Sequence, residues 1–186
     1  ILYYPYYGKT AWAVPQGDGI VRVGTGRALH EKPNLDAFAK RFKGKRLCRQ
    51  AGLIPLYHPK IKTQARVEGR KVFLVGDAAP HMKNTTGGAI IPSMNCAKLL
   101  AESILNKTDY ETAWKKEVGK ELNFHYKIRK AFERFSSQDW NKLVDLCSRP
   151  KVKEILESAS RDNAKCMAPR LVLAEPRFAL FIRKMV

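Results

Sequence analysis

The chain has 186 residues, 45% of them apolar and 10% aromatic, with 35 Lys and Arg against 17 Asp and Glu for a formal charge of +18. That apolar content excludes a largely disordered polymer, and the length accommodates one domain or two small ones. No apolar run approaches the roughly 20 residues that span a bilayer, and the N-terminus lacks a signal-peptide pattern, which points to a soluble or surface-associated protein.

The first residues, Ile1-Leu2-Tyr3-Tyr4-Pro5-Tyr6-Tyr7, form an aromatic, strand-like segment without a starting Met, as expected of a chain whose beginning lies upstream. Lys9 to Pro15 and Ile20 to Gly26 are apolar stretches joined by Gln16-Gly17-Asp18-Gly19, which predicts an antiparallel hairpin. Asn34 is placed to cap a short helix from Leu35 to Phe42, and Gly52-Leu53-Ile54-Pro55-Leu56 reads as extended. A second hairpin is predicted from Ile61 to Val67, with a turn at Glu68-Gly69. Its return run, Val72-Phe73-Leu74-Val75, has the continuous apolar character of a strand buried on both faces.

A turn Gly76-Asp77-Ala78-Ala79, a loop to Asn84, and Thr85-Thr86-Gly87-Gly88-Ala89 then lead into a helix starting near Ala89 to Ile91. Pro92 fits only its first turn, and Ile90, Met94, Ala97, Ala101 and Ile104 form one apolar stripe. Beyond residue 108 the pattern is helical. Asp109 caps a long helix to about Phe135, Ser137 another to Cys147, Pro150 opens a third, and Pro176 breaks an apolar, basic tail.

Charge is local. From Lys40 to Lys71 eleven cations face one acid, Glu68, a field that attracts phosphate on a lipid, a cofactor or a nucleic acid, and that equally suits a solvated face. Cys48, Cys96, Cys147 and Cys166 show no C-x-x-C pair and the histidines no ligand spacing, so no metal site is expected. His30, His58, His81 and His125 read as surface residues. Cys96 reads as a buried small side chain, and Cys48 as an inert thiol despite its cationic neighbours.

The chemistry concentrates after the second hairpin. A carboxylate at Asp77, beyond the carboxyl end of a strand, can accept hydrogen bonds from ligand hydroxyls. Glycines 87 and 88 allow close backbone approach, and the helix they open offers unpaired N–H groups to an anion. These residues resemble the second FAD-contacting motif of flavoproteins related to p-hydroxybenzoate hydroxylase, most closely the geranylgeranyl reductase family. Thr10-Ala11-Trp12-Ala13-Val14-Pro15 is similar to that family's Tyr-x-Trp-x-Phe-Pro motif at Trp12 and Pro15, and differs at Thr10 and Val14. The resemblance covers roughly residues 3 to 106. The family's N-terminal G-x-G-x-x-G is absent, and Gly24-Thr25-Gly26 followed by Arg27 is no substitute.

The resemblance implies an oxidoreductase using FAD, with Gly76, Asp77, Ala78, Thr86, Gly87, Gly88 and Ala89 at the cofactor, and Trp12, Pro15 and Tyr7 lining a channel for an isoprenoid or phospholipid substrate. It implies a C=C reduction by hydride from reduced flavin, an electron donor that is a reduced nicotinamide or ferredoxin-like protein, and a flavin-binding half upstream of this chain. The implied setting is cytoplasmic, with peripheral contact at the inner membrane surface. No catalytic residue is assigned; His81 and Cys48 enter as proton donors only because they titrate. The fold class expected is mixed α/β, with α+β character here. Residues 1–66 would be part of an antiparallel substrate-domain sheet, 67–108 the returning strand and helix of the FAD-binding domain, and 109–186 a helical region. A flavin monooxygenase of the same superfamily and a basic nucleic-acid-binding module are the alternatives, the latter disfavoured.

Overall fold

The computed structural model describes residues 2–3, 10–26, 34–160 and 162–185, and the chain divides into two compact units, residues 1–52 and 53–186. The architecture is mixed α/β, with two small antiparallel sheets and a predominantly helical second half.

In the first unit, β1 (Leu2–Tyr3), β2 (Thr10–Gly17) and β3 (Ile20–Gly26) form a sheet in sequence order. Asp18 and Gly19, both at positive φ, make the two-residue turn of the β2–β3 hairpin; paired turns of this kind match the twist of the flanking strands. Alternation along β2 sends Ala11 and Ala13 into a core with Phe38, flanked by Val23 and Phe42. Phe38 lies on α1 (Leu35–Ala39), shorter than the predicted helix, and the Asn34 side chain forms no cap bond. Phe42 beyond its end still packs edge-on against Phe38, with ring centroids 5.4 Å apart.

In the second unit, β4 (Gln64–Val67) and β5 (Arg70–Phe73) form a hairpin around Glu68 and Gly69, again at positive φ. The return strand is not buried on both faces: Val72 is 41% and Leu74 40% exposed. A two-stranded ribbon has only one face on the core, and that face rests on Tyr110 through Phe73.

Helix α2 (Ile90–Leu105) starts where expected, with Pro92 in its first turn. Its predicted apolar stripe faces outward, however, with Ile90 76% and Met94 63% exposed. Pro92, Cys96 and Ser103 form the buried face, and Leu99 and Leu100 pack beside it. Asp109 caps α3 (Tyr110–Trp114) by accepting from the Thr112 N–H at 2.7 Å, and hydrogen bonds from the Thr112 side chain, the Gln64 side chain and that N–H hold its carboxyl below the usual carboxylate range. A π-helical turn, Lys115–Gly119, joins α3 to α4 (Lys120–Glu133), so the predicted long helix is continuous but locally widened. Tyr57, Cys96, Tyr110, Trp114, Val118 and Leu122 form the main core, where burial pushes the Cys96 thiol up to about 12.

Helix α5 (Ser137–Cys147) is capped by Ser136 rather than Ser137. Ser136 Oγ accepts from the Asp139 N–H while the Asp139 carboxylate accepts from the Ser136 N–H, a reciprocal capping box one residue earlier. Pro150 opens α6 (Pro150–Ser158). The tail folds back as α7 (Ala164–Ala174) and, after the break at Pro176, α8 (Ala179–Ile182). Phe178 joins Leu146 and Val152 in a second core, and Glu175 receives Arg177 in a two-pronged bond and Arg149 at 2.8 Å. All four cysteines are free thiols, Cys96 buried and Cys48 exposed, and no described helix is long and apolar enough to cross a membrane.

Candidate functional site

The segment from Gly76 to Gly88 is a loop tied to both of its flanks. Gly76 takes φ +69°, a left-handed value that glycine adopts without strain, and its carbonyl accepts from the N–H groups of Ala79 and His81. A short 3-10 turn over Gly76–Ala78 thereby presents Asp77 and Ala78 to solvent. The chain then dives: His81, Met82, Lys83 and Asn84 are all buried. Asn84 fixes this strap by a reciprocal pair with Tyr57, accepting from its N–H at 2.9 Å and donating to its carbonyl at 2.8 Å.

The strap returns as a tight ring. Lys83 N–H donates to Gly88 O at 3.0 Å, Gly87 N–H to Lys83 O at 2.8 Å, and Gly88 N–H to Thr86 Oγ1 at 3.2 Å. Gly87 sits at φ +72°, and a Cβ at Gly88 would press on Lys83 Cε and Thr86 Oγ1. Gly87 therefore suits glycine by conformation, and a side chain at Gly88 would need Lys83 or Thr86 to give way by a few tenths of an ångström. Thr86 and Gly87 are exposed, and no side chain caps the N-terminus of α2 just beyond. An accessible carboxylate, backbone that a ligand can approach closely and an uncapped 16-residue helix fit a group with hydroxyls at one end and a partly anionic edge at the other, the chemistry of a flavin's ribityl chain and pyrimidine ring.

Beneath the ring, two histidines are buried instead of lying at the surface. Neither ring nitrogen of His81 has a hydrogen-bond partner among the described residues; the ring packs 4.6 Å from Trp114, and burial lowers its pKa to about 4. That position and protonation state do not suit a proton donor at neutral pH. His125 is also buried, with Nδ1 2.6 Å from Thr85 Oγ1. Its Nε2 lies 3.4 Å from Glu121 Oε1, within ion-pair range though out of line for a hydrogen bond, and burial outweighs that carboxylate to lower its pKa. Lys83 meets Asp162 at 2.5 Å. His58 is exposed, as expected, and rests edge-on against Tyr126.

In the first unit, Trp12 lies half-buried on the face of β2 opposite the Phe38 core, and Pro15 is exposed. Trp12 pairs in register with Gly24 on β3, where any Cβ would overlap the indole, so Gly24 is the seat of the tryptophan. Tyr4, Tyr6, Tyr7 and His30 lie outside the described residues. All eleven cations between Lys40 and Lys71 are exposed.

Sequence reasoning missed Gly24, Lys83, Asn84, His125 and Asp162. The hairpin register could have paired Gly24 with Trp12, and Glu121 and His125 stand at helical i, i+4 spacing. Nothing local connects Lys83 to Asp162.

Comparison with known proteins bears on this arrangement. Digeranylgeranylglycerophospholipid reductase from Methanothrix thermoacetophila is 25% identical over 198 aligned positions, covering 96% of this chain and 48% of that protein. Digeranylgeranylglycerophospholipid reductase 2 from Methanopyrus kandleri is 23% identical, covering 96% and 50%, and its namesake from Methanococcoides burtonii is 29% identical, covering 72% and 36%. The chain thus spans about half the length of the first two relatives. No family model matches the chain, and no solved structure matches it. Several of these relatives are named as reductases of one prenyl phospholipid, which supports a likeness to geranylgeranyl reductases.

Proposed function

We propose that this chain supplies the flavin-closing loop and part of the substrate wall of an FAD-dependent reductase that saturates C=C bonds in the isoprenoid chains of a glycerophospholipid. The observation that carries the reading is the Gly76–Ala89 segment, in which exposed Asp77 and the glycine ring at Gly87–Gly88 precede an uncapped α2. The names of the relatives supply the substrate class.

Reduced FAD, when bound, would supply hydride. Asp77 would accept hydrogen bonds from ribityl hydroxyls, and the Gly76 turn presents it. Thr86, Gly87, Gly88 and Ala89 would face the pyrimidine edge, where amide donors and the helix dipole favour negative charge. Trp12, Pro15 and Tyr7 would hold the apolar chain and keep water from it. The exposed cations of residues 40–49 in the first unit, and separately those of residues 60–71 in the second, would attract the phosphate of such a lipid or the anionic membrane that carries it. An upstream dinucleotide-binding half and a nicotinamide or ferredoxin-like donor would complete the enzyme.

Flavin content tests this. Asp77→Ala, introduced into the protein together with its dinucleotide-binding half, should lose most absorbance near 450 nm after gel filtration, while the folded state is retained because Asp77 is exposed. Unchanged flavin content would overturn the assignment.

A further inference from the structure

We propose that His125 is a positioning residue for the Gly87–Gly88 ring, acting through the Thr85 hydroxyl; its relevance to flavin rests on the function proposed above. Thr85 is half-buried and lies between the buried strap and the exposed tip. Its Oγ1 lies 2.6 Å from His125 Nδ1, and His125 is 4% exposed, so water does not compete for the bond.

Which way the bond runs follows from the neighbours. The Glu121 carboxylate beside Nε2 favours a proton on that nitrogen, which leaves the Nδ1 lone pair to accept from the Thr85 hydroxyl. Glu121 is itself immobilised, because it accepts from the N–H of Ala164 at 2.5 Å and of Lys165 at 3.3 Å at the start of α7. Lys83, two residues before Thr85 on the same limb of the ring, is paired with Asp162, two residues ahead of α7. The entry limb of the Lys83–Gly88 ring is therefore anchored at Lys83 and Thr85 to residues of the C-terminal half, while the bonds of Gly87 and Gly88 are internal to the ring. The tip has conformational freedom to lose, and the His125–Thr85 bond restricts it before any ligand arrives. Pre-ordering of this kind raises affinity without a new ligand contact.

The test is amide hydrogen exchange of the 186-residue chain without flavin, followed by FAD titration in the protein that includes its dinucleotide-binding half. Thr85→Val, which removes one hydroxyl, and His125→Leu should speed exchange at the Gly87 amide roughly tenfold, with the Trp114 amide unchanged. His125→Asn, whose amide can offer an acceptor near the Nδ1 position, should restore slow exchange; His125→Gln, whose amide reaches toward the Nε2 position, should not. FAD affinity should follow the same order.

Wild-type exchange in Thr85→Val, or equal acceleration in His125→Leu and His125→Asn, overturns the proposal. If His125→Leu loosens the whole core, Thr85→Val decides. Failure of the wild-type protein to bind FAD while the exchange order holds overturns the flavin reading and leaves the positioning role standing.

Discussion

Acid should weaken this fold in part through one buried histidine. His81 is fully buried with no partner for either ring nitrogen among the described residues, and burial lowers its pKa from 6.5 to about 4. The unfolded chain, where the ring is free in water, therefore binds the proton more readily than the folded chain does. Stability from the neutral ring is complete above pH 6.5 and is lost as pH falls towards 4. Each pH unit in that window removes up to about 1.4 kcal/mol, so the loss from this group between pH 7.5 and 4.5 is about 2–3 kcal/mol. Other groups titrate there too, His125 among them, and the comparison that isolates His81 is with His81→Phe, which keeps a ring against Trp114 but carries no proton. Urea unfolding of both proteins at the two pH values gives the difference directly. The wild type should lose about 2–3 kcal/mol more than the variant. Parallel losses would refute the assignment, and His81→Leu repeats the comparison with a smaller side chain.

Two further outcomes follow from packing. Thr63→Val leaves the buried Trp114 indole N–H, now 2.7 Å from Thr63 Oγ1, without its acceptor; a loss of about 1–3 kcal/mol and a fall in melting temperature of a few degrees should be seen by thermal unfolding. Gly24→Ala drives a methyl group into the Trp12 indole and should cost the first unit about 1–3 kcal/mol, with a change in tryptophan fluorescence; an unaltered spectrum and stability would mean the indole does not rest on Gly24.

The parts of the fold legible in the sequence are those fixed over a few residues. Asp18-Gly19 and Glu68-Gly69 announced both hairpins because a two-residue turn at positive φ suits few residues. Asp109, Pro92 and Pro150 marked helix starts through a cap or a missing N–H. The orientation of α2 was not legible: the expected stripe of Ile90, Met94, Ala97, Ala101 and Ile104 lies on an exposed face, while Pro92, Cys96 and Ser103 turn inward, Cys96 into the core of Trp114 and Tyr110. Periodicity identifies a stripe without saying what lies against it. The same holds at the candidate site. Gly76 and Gly87 stood out as a turn and as a place for close backbone approach, and both take left-handed values, whereas burial of His81 and His125 depends on residues more than 30 positions away, and Lys83 finds Asp162 across 79 positions.

The π-helical turn at Lys115–Gly119 has a consequence for phase. Twelve residues separate Tyr110 from Leu122, which in an unbroken α-helix would set them about 120° apart around the axis. The wide turn absorbs one residue and reduces that angle to about 20°, so Tyr110, Trp114, Val118 and Leu122 share one side and meet the same core. Removing a single residue within the turn would let it close into α-helix with both flanking faces kept in step. The same deletion a turn or two downstream, between Leu122 and His125, would swing His125 by about 100° and part it from Thr85.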